Sequence, residues 1–284
     1  MSEILRLENV SYIYSRRTPY EKKALDGIDL SFEKGSVTGI IGHTGSGKST
    51  LVRLLNGLER PTEGRVFFNG EDIWKKPREI GRLRFRIGLV MQYPEYQLFD
   101  ETVGRDIGFA LRNKGVPEET IKEKVIEAAE RVGLSPSLLS KSPFDLSGGQ
   151  RRRAAIAGVL VMDPEVLVLD EPAAGLDPRG RAEILGYLYR YRETNGATVI
   201  LVSHSMEDMA QYCDRVVVMR EGEIYAEGTT DEIFSDPDRL FAAGMDVPEV
   251  MKIAMELKKR GISLDGKLYT VEGVRDAVLR ALGK

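Results

Sequence analysis

Residues 42–49 read Gly-His-Thr-Gly-Ser-Gly-Lys-Ser, and this octet restricts the fold more than any other stretch of the chain. It follows a β-branched run, Ser36 to Ile41. It precedes a segment, Thr50 to Leu58, with Leu51, Leu54, Leu55 and Leu58 on one helical face. A glycine-rich turn between strand and helix lets backbone N–H groups converge on anionic oxygens, and the helix N-terminus adds partial positive charge. The pattern G-x-x-x-x-G-K-[ST] in that setting predicts a nucleotide-phosphate site. Gly42, His43, Thr44, Gly45, Ser46, Gly47 and Thr50 are then candidate contacts. Lys48 is expected to reach the β- and γ-phosphates, and the Ser49 hydroxyl to ligate Mg²⁺.

Two continuous apolar runs, Val166 to Leu169 and Thr198 to Val202, read as parallel strands buried on both faces by helices, one of which spans about Arg179 to Thr194. Further strands are expected at Ile4 to Val10, Lys23 to Phe32, Arg65 to Phe68 and Ile87 to Met91. Val216 to Met219 and Glu223 to Ala226 read as a hairpin around Glu221-Gly222. The basic stretch Lys75 to Arg86 reads as a solvated surface segment. From Thr102 to Gly133 the pattern is helical, with Pro117 in a first turn and Ile121, Val125, Ala128, Ala129 and Val132 on one face. Past Ser235 two short helices are expected, Pro248 to Arg260 and Val271 to Leu282. Their apolar stripes are Val250, Ile253, Ala254, Leu257 and Val271, Val274, Val278, Leu282. Two helices have too little core to stand alone, so they must dock on the main domain or on another chain.

Composition narrows the function classes. Forty-one Lys and Arg against 44 Asp and Glu leave a net charge of −3, which gives no electrostatic reason to expect a nucleic-acid partner. One cysteine, Cys213, leaves no intramolecular disulfide and fits a buried apolar role in a reducing compartment. No apolar run approaches the ~20 residues of a spanning helix. The start, MSEILRLENV, has acidic residues and no apolar core, so no secretory signal is expected there and the chain is placed in the cytoplasm. Any membrane role must come through a partner.

A phosphate site needs a second anchor for its metal. Asp170 at the end of the Val166 run is positioned to hold Mg²⁺, leaving Glu171 to polarise the attacking water. Leu146-Ser147-Gly148-Gly149-Gln150 supplies a second anion-binding helix terminus with no lysine of its own. Two such termini in one chain suggest nucleotide held between two chains. On these motifs and their order the sequence resembles the ATP-binding cassette (ABC) ATPases over about residues 3–235. The resemblance implies a P-loop α/β fold: a parallel-sheet core, an N-terminal antiparallel β region and a helical subdomain at about 93–157, together forming domain 1–235, plus a C-terminal helical extension at 236–284. It implies ATP and Mg²⁺ as ligands. It also gives roles: Tyr14 stacks on adenine, with Tyr12 as the alternative. Gln92 contacts Mg²⁺ and water, and Asp177 lies in the loop crossing the dimer interface. His204 contacts the γ-phosphate, Glu171 is the catalytic base, and Ser147, Gly148, Gly149 and Gln150 serve nucleotide across the dimer.

The run Tyr93-Pro94-Glu95-Tyr96-Gln97-Leu98-Phe99 after Gln92 narrows the resemblance. With Gly42-His43-Thr44, Arg152-Arg153-Ala154-Ala155-Ile156-Ala157-Gly158 and Glu171-Pro172-Ala173-Ala174-Gly175-Leu176-Asp177, it resembles the energy-coupling factor (ECF) and cobalt-importer ATPases, the second of the two ECF subunits in particular. Ala173 departs from the Ser or Thr commoner there. This implies an ATPase on the cytoplasmic face of the membrane, paired with a second ABC ATPase subunit, a paralogue in preference to itself. A transmembrane coupling subunit and a substrate-binding membrane subunit complete the expected importer of vitamins or transition-metal ions. Tyr93 to Phe109 is the segment expected to form a groove for a membrane partner's helix; the alternative is that its side chains pack beneath the helical subdomain. The extension is expected to support dimer contacts. A soluble, non-transport ABC ATPase is the rival reading. Repair types insert a long coiled coil and translation types carry two cassettes, and this chain has neither; a module that only binds nucleotide would not need Glu171 and His204.

Overall fold

The computed structural model describes residues 2–282. The chain opens with β1 (Glu3–Tyr14), β2 (Lys22–Glu33) and β3 (Val37–Ile41), then α1 (Lys48–Leu55), β4 (Glu63–Phe68) and β5 (Glu71–Asp72). After α2 (Ile80–Leu83) and β6 (Ile87–Val90) come three longer helices, α3 (Val103–Asn113), α4 (Glu118–Arg131) and α5 (Gly148–Leu160). The second half alternates: β7 (Val166–Asp170), α6 (Pro178–Asn195), β8 (Thr198–Val202), α7 (Met206–Tyr212), β9 (Arg215–Arg220) and β10 (Glu223–Thr229). Four helices close the chain: α8 (Thr230–Phe234), α9 (Pro237–Ala242), α10 (Glu249–Lys259) and α11 (Val271–Ala281). Among the described residues no helix is long and apolar enough to cross a membrane.

Two sheets result. One is antiparallel, in the order β2-β1-β4-β5. The other runs β10-β9-β3-β8-β7-β6, parallel throughout except for the β9–β10 hairpin. Every residue of β3, β7 and β8 is buried, as continuous apolar runs require when both faces are covered. One face packs with α1 and the antiparallel sheet through Ile40, Leu51, Leu54, Val168 and Ile200. The other face, with Leu167, Leu169 and Leu201, shares a cluster with α3, α4 and α5, where Ile107, Ile121, Val125, Ile156 and Leu160 are buried. Cys213 is buried in that cluster.

Some sequence expectations shift. Helix α1 stops at Leu55, because Gly57 takes a left-handed conformation (φ 69°), and Leu58 is exposed beyond it. The stripes expected on the last two helices hold at five positions, Val250, Ala254, Leu257, Val274 and Val278, which pack into one cluster, and fail at three. Ile253, Val271 and Leu282 face outward, while Met251, Ala254, Val274 and Ala277 are buried. Small residues let the two helices approach: Ala254 and Ala277, with Leu264 and Val274, form a narrow seam between α10 and α11. The extension docks on the main domain, where Val247, Met251 and Tyr269 join the large core and the Tyr269 ring stacks on Phe234 at 5.4 Å. Helices α8 and α9, unmarked by periodicity, are short turns capped by Thr229 and Asp236.

Candidate active site

The site follows from strand order. In the parallel sheet Ile40 pairs with Val202, Val202 with Asp170, and Leu169 with Val90, so four carboxyl ends finish level. The chain leaving β3 forms the phosphate loop, that leaving β6 carries Gln92, β7 ends in Asp170 and Glu171, and β8 is followed by His204. Open α/β sheets bind ligands at this edge. A cleft of about 330 Å³ lies there. Tyr14, Thr44, Gly45, Gly47, Lys48, Ser49, Thr50, Gln92, Asp170, Glu171 and His204 all line it.

The loop geometry needs its glycines. Gly47 has φ 103°, and a Cβ there would meet the Ala24 carbonyl at 2.6 Å. Gly45, at φ 86°, has open space over it, so conformation rather than crowding requires glycine. Gly42 and Ser46 do not line the cleft: both are buried, a Cβ on Gly42 would meet the Ser46 hydroxyl at 2.5 Å, and that hydroxyl has no hydrogen-bond partner. His43 is exposed on the outer side of the loop, its Nδ1 2.9 Å from the Thr44 carbonyl. Lys48 is buried and donates to the carbonyls of Gly42 (2.6 Å) and His43 (3.0 Å). Burial lowers its pKa, against the pull of Glu171 and Asp170.

The carboxylates are set apart by environment. Burial raises the Asp170 pKa, with Ser49 and Lys48 opposing it. Burial, and then the neighbouring Asp170 charge, push Glu171 up to about 7. Glu171 sits in the left-handed region at φ 53°, an uncommon conformation for a non-glycine residue. Its N–H donates to the Val202 carbonyl at 3.0 Å, and its buried Oε1 has no hydrogen-bond partner. His204 Nε2 lies 3.3 Å from that oxygen without hydrogen-bond alignment. Desolvation and then Lys48 lower the His204 pKa, which favours the neutral ring.

Of the two tyrosines, Tyr14 lines the cleft, its hydroxyl 3.0 Å from Thr50 Oγ1. Tyr12 turns away and donates to Glu59 at 2.6 Å. The Ser147-Gly148-Gly149-Gln150 turn is not brought to this cleft. Ser147 caps α5 in a reciprocal box with Gln150 (3.3 and 3.0 Å), and space above Gly148 and Gly149 is open. Asp177 is exposed too, capping α6 by accepting from the Gly180 N–H at 2.7 Å. Sequence reasoning missed Lys22 and Ala24, which also line the cleft because Tyr14 pairs with Lys22 across β1 and β2. It gave Arg152 no physical role. That side chain is 3% exposed and grips Glu95 through Nε (2.9 Å) and Nη2 (2.6 Å), while Nη1 donates to the Ala174 carbonyl. One guanidinium thus joins the segment after Gln92, the helix after Ser147 and the loop before Asp177. No short-range signal announces such a pair.

Comparison with known proteins places the chain. Residues 25–174 match the family model described as ABC transporter. The energy-coupling factor transporter ATP-binding protein EcfA2 of Caldanaerobacter subterraneus subsp. tengcongensis is 49% identical, over 98% of this chain and 97% of its own length. EcfA2 of Geobacillus kaustophilus is 48% identical over 98% of this chain and 97% of its own. The chain belongs to the ECF transporter ATP-binding proteins of the EcfA2 type. Members of this family are ABC ATPases, so the chain binds and hydrolyses ATP. The solved cbiO1 of Clostridium perfringens, part of the ABC transporter complex cbiONQ, superposes with a TM-score of 0.76 at 38% identity, covering 92% of this chain and 98% of that one. A dimeric ABC cassette in a post-hydrolysis state, bound to ADP and Pi, gives 0.73 at 27% identity, covering 80% of this chain and 99% of that one. The fold is therefore that of an ABC nucleotide-binding domain.

Proposed function

We propose that this ATPase energises an ECF-type importer of vitamins or transition-metal ions by closing, with ATP, against a second ABC subunit. One observation carries the reading: Lys48, Gln92, Asp170, Glu171 and His204 share a cleft, while the Ser147–Gln150 turn and Asp177 lie outside it, with Ser147, Gly148 and Asp177 exposed. A site so divided is completed by the facing chain, whose own Ser-Gly-Gly turn covers nucleotide held on Lys48. Tyr14 stacks on the adenine and the phosphate-loop N–H groups hold the phosphates. In hydrolysis water attacks the γ-phosphorus, the bond to the β–γ bridging oxygen breaks, and ADP and phosphate form. Glu171 accepts the water's proton, a task suited to a carboxylate with a raised pKa and an oxygen not already engaged. His204, kept neutral, donates toward the γ-phosphate.

Ser49, Asp170 and Gln92 present oxygen donors to one cleft, a set that fits a hard cation such as Mg²⁺. When bound, that ion neutralises charge on the phosphate oxygens. Residues 1–235 act as the cassette, with 93–157 as its helical subdomain, and 236–284 as the extension. The partner cassette is a paralogue. The pair sits on the cytoplasmic face of the membrane, under a transmembrane coupling subunit and a substrate-binding subunit.

Contact with the membrane partner falls to the segment after Gln92. Tyr96 is 83% exposed and Phe99 62%, with Phe99 edge-on to Phe109 at 4.9 Å, so an apolar patch faces solvent here. Pro94 and Leu98 instead face inward, so Tyr96 is the cleaner probe. Tyr96→Asp should abolish assembly with the membrane subunits and uptake while leaving ATP hydrolysis by the cassette pair intact. Retained assembly and uptake would refute this docking surface.

A further inference from the structure

His204 is followed by Ser205, which caps α7 by accepting from the Asp208 N–H at 3.2 Å. The Ser205 hydroxyl also donates to Glu207 Oε2 at 3.0 Å. The other oxygen of that carboxylate, Oε1, accepts from the backbone N–H of Glu249 at 3.1 Å. Glu249 is the first residue of α10, so one side chain holds the loop carrying His204 with one oxygen and the start of the C-terminal extension with the other. A second contact runs beside it: Met206, next after Ser205, is buried in the same apolar cluster as Val247 and Met251, which flank Glu249. The loop is fixed from the opposite side as well. Ser203 Oγ accepts from the Ser205 N–H at 3.1 Å and donates to Asp208 Oδ2 at 3.3 Å, and Arg181 holds Asp208 at 2.7 Å. The loop is thus clamped between α6 and α10.

We propose that Glu207 is a positioning residue for His204, through which docking of the C-terminal extension sets the rate of ATP hydrolysis. Glu207 touches neither nucleotide nor the reacting atoms. Burial acts to raise its pKa, but the N–H groups of Glu207 and Glu249, Ser205 and Arg181 outweigh it and hold the carboxyl below its usual range. The charged form is therefore the one that makes both bonds. The proposal rests on the reading of His204 given above. It assigns the extension a part in turnover besides any part in holding chains together.

A single backbone N–H can be removed to test it. Proline is tolerated at the first position of a helix, and Pro248 before it already has the extended conformation that precedes proline (φ −52°, ψ 141°). Glu249→Pro therefore deletes the donor to Glu207 and keeps α10; Glu249→Ala keeps the donor and removes only the carboxylate that pairs with Lys252. In the full-length chain, assembled with its partner cassette and supplied with Mg·ATP, Glu249→Pro and Glu207→Ala should each lower kcat about three- to tenfold with KM for ATP unchanged. Amide exchange at Ser205 to Asp208 should quicken in both, while Glu249→Ala behaves as wild type. Glu207→Ala, at an exposed helical position, keeps the question open to test if the proline disturbs folding. Equal behaviour of Glu249→Pro and Glu249→Ala, or a loss confined to KM, overturns the proposal. His204→Ala run alongside separates the two failures: unchanged kcat there refutes the role of His204, whereas the exchange data still report on the link itself.

Discussion

Removing the carboxylate of Glu95 tests how far one buried ion pair holds the site's segments together. Arg152 is 3% exposed and its partner's side chain 13%, so Glu95→Ala leaves a guanidinium in low dielectric with the Ala174 carbonyl as its remaining partner. Breaking a buried pair by deleting one side typically costs about 3–5 kcal/mol, because the stranded charge is not rehydrated. With roughly 2.1 cal/mol/K of unfolding entropy per residue, a chain this long loses about 1.7 °C of melting temperature per kcal/mol. Glu95→Ala should therefore melt about 5–8 °C below wild type by calorimetry. Replacing both partners, Glu95→Leu with Arg152→Met, should recover at least half of that loss. The pH dependence has a definite sign. Burial acts to raise the Glu95 pKa, but its bond to Arg152 outweighs this and the folded-state value is lowered. Its contribution is then complete above the unfolded value, near 4.3, and disappears as pH falls through the folded one. The gap between wild type and Glu95→Ala should hold constant from about pH 6 to 8 and narrow below about pH 4. A loss under about 1 °C, or a double variant no better than the single, would refute the reasoning.

Lys48→Ala should weaken ATP binding about a hundredfold, read by calorimetric titration, because it removes a buried cation that lines the cleft beside the phosphate loop; binding within threefold of wild type would contradict that role. Tyr269→Ala removes the ring stacked on Phe234 and the hydroxyl bonded to Asp231, and should cost about 3 kcal/mol of stability while leaving ATP affinity unchanged. Unchanged melting would show that the extension is not anchored there.

Much of the parallel core is legible because buried strands carry no ambiguity of face. Val166 to Leu169 and Val199 to Val202 are apolar at every position, and the glycine-lysine loop fixes where β3 ends. Residues at strand termini, Asp170, Glu171, Gln92 and His204, could be expected to converge once strand adjacency was assumed. What depends on pairing between distant segments was not legible: Lys22 reaches the cleft only through its register with Tyr14, and Arg152 meets Glu95 across 57 residues. The exposure of Ile253 escaped the pattern because a strong apolar side chain beside Ala254 reads as part of the same face, although only Ala254 packs in the seam. Short capped turns such as α8 fall below the length at which a 3.6-residue period can be seen.

The most direct test of the account is Glu171→Gln. The substitution keeps size and position but removes the carboxylate proposed as the base, whose Oε1 is buried and has no hydrogen-bond partner. Assayed with the partner cassette present, the variant should bind ATP as wild type does, lose turnover at this site by about a hundredfold or more, and accumulate as a closed ATP-bound dimer on gel filtration. Turnover at this site near the wild-type rate, with the partner's own base disabled, would contradict the assignment of Glu171 and with it the proposed route from ATP hydrolysis to transport.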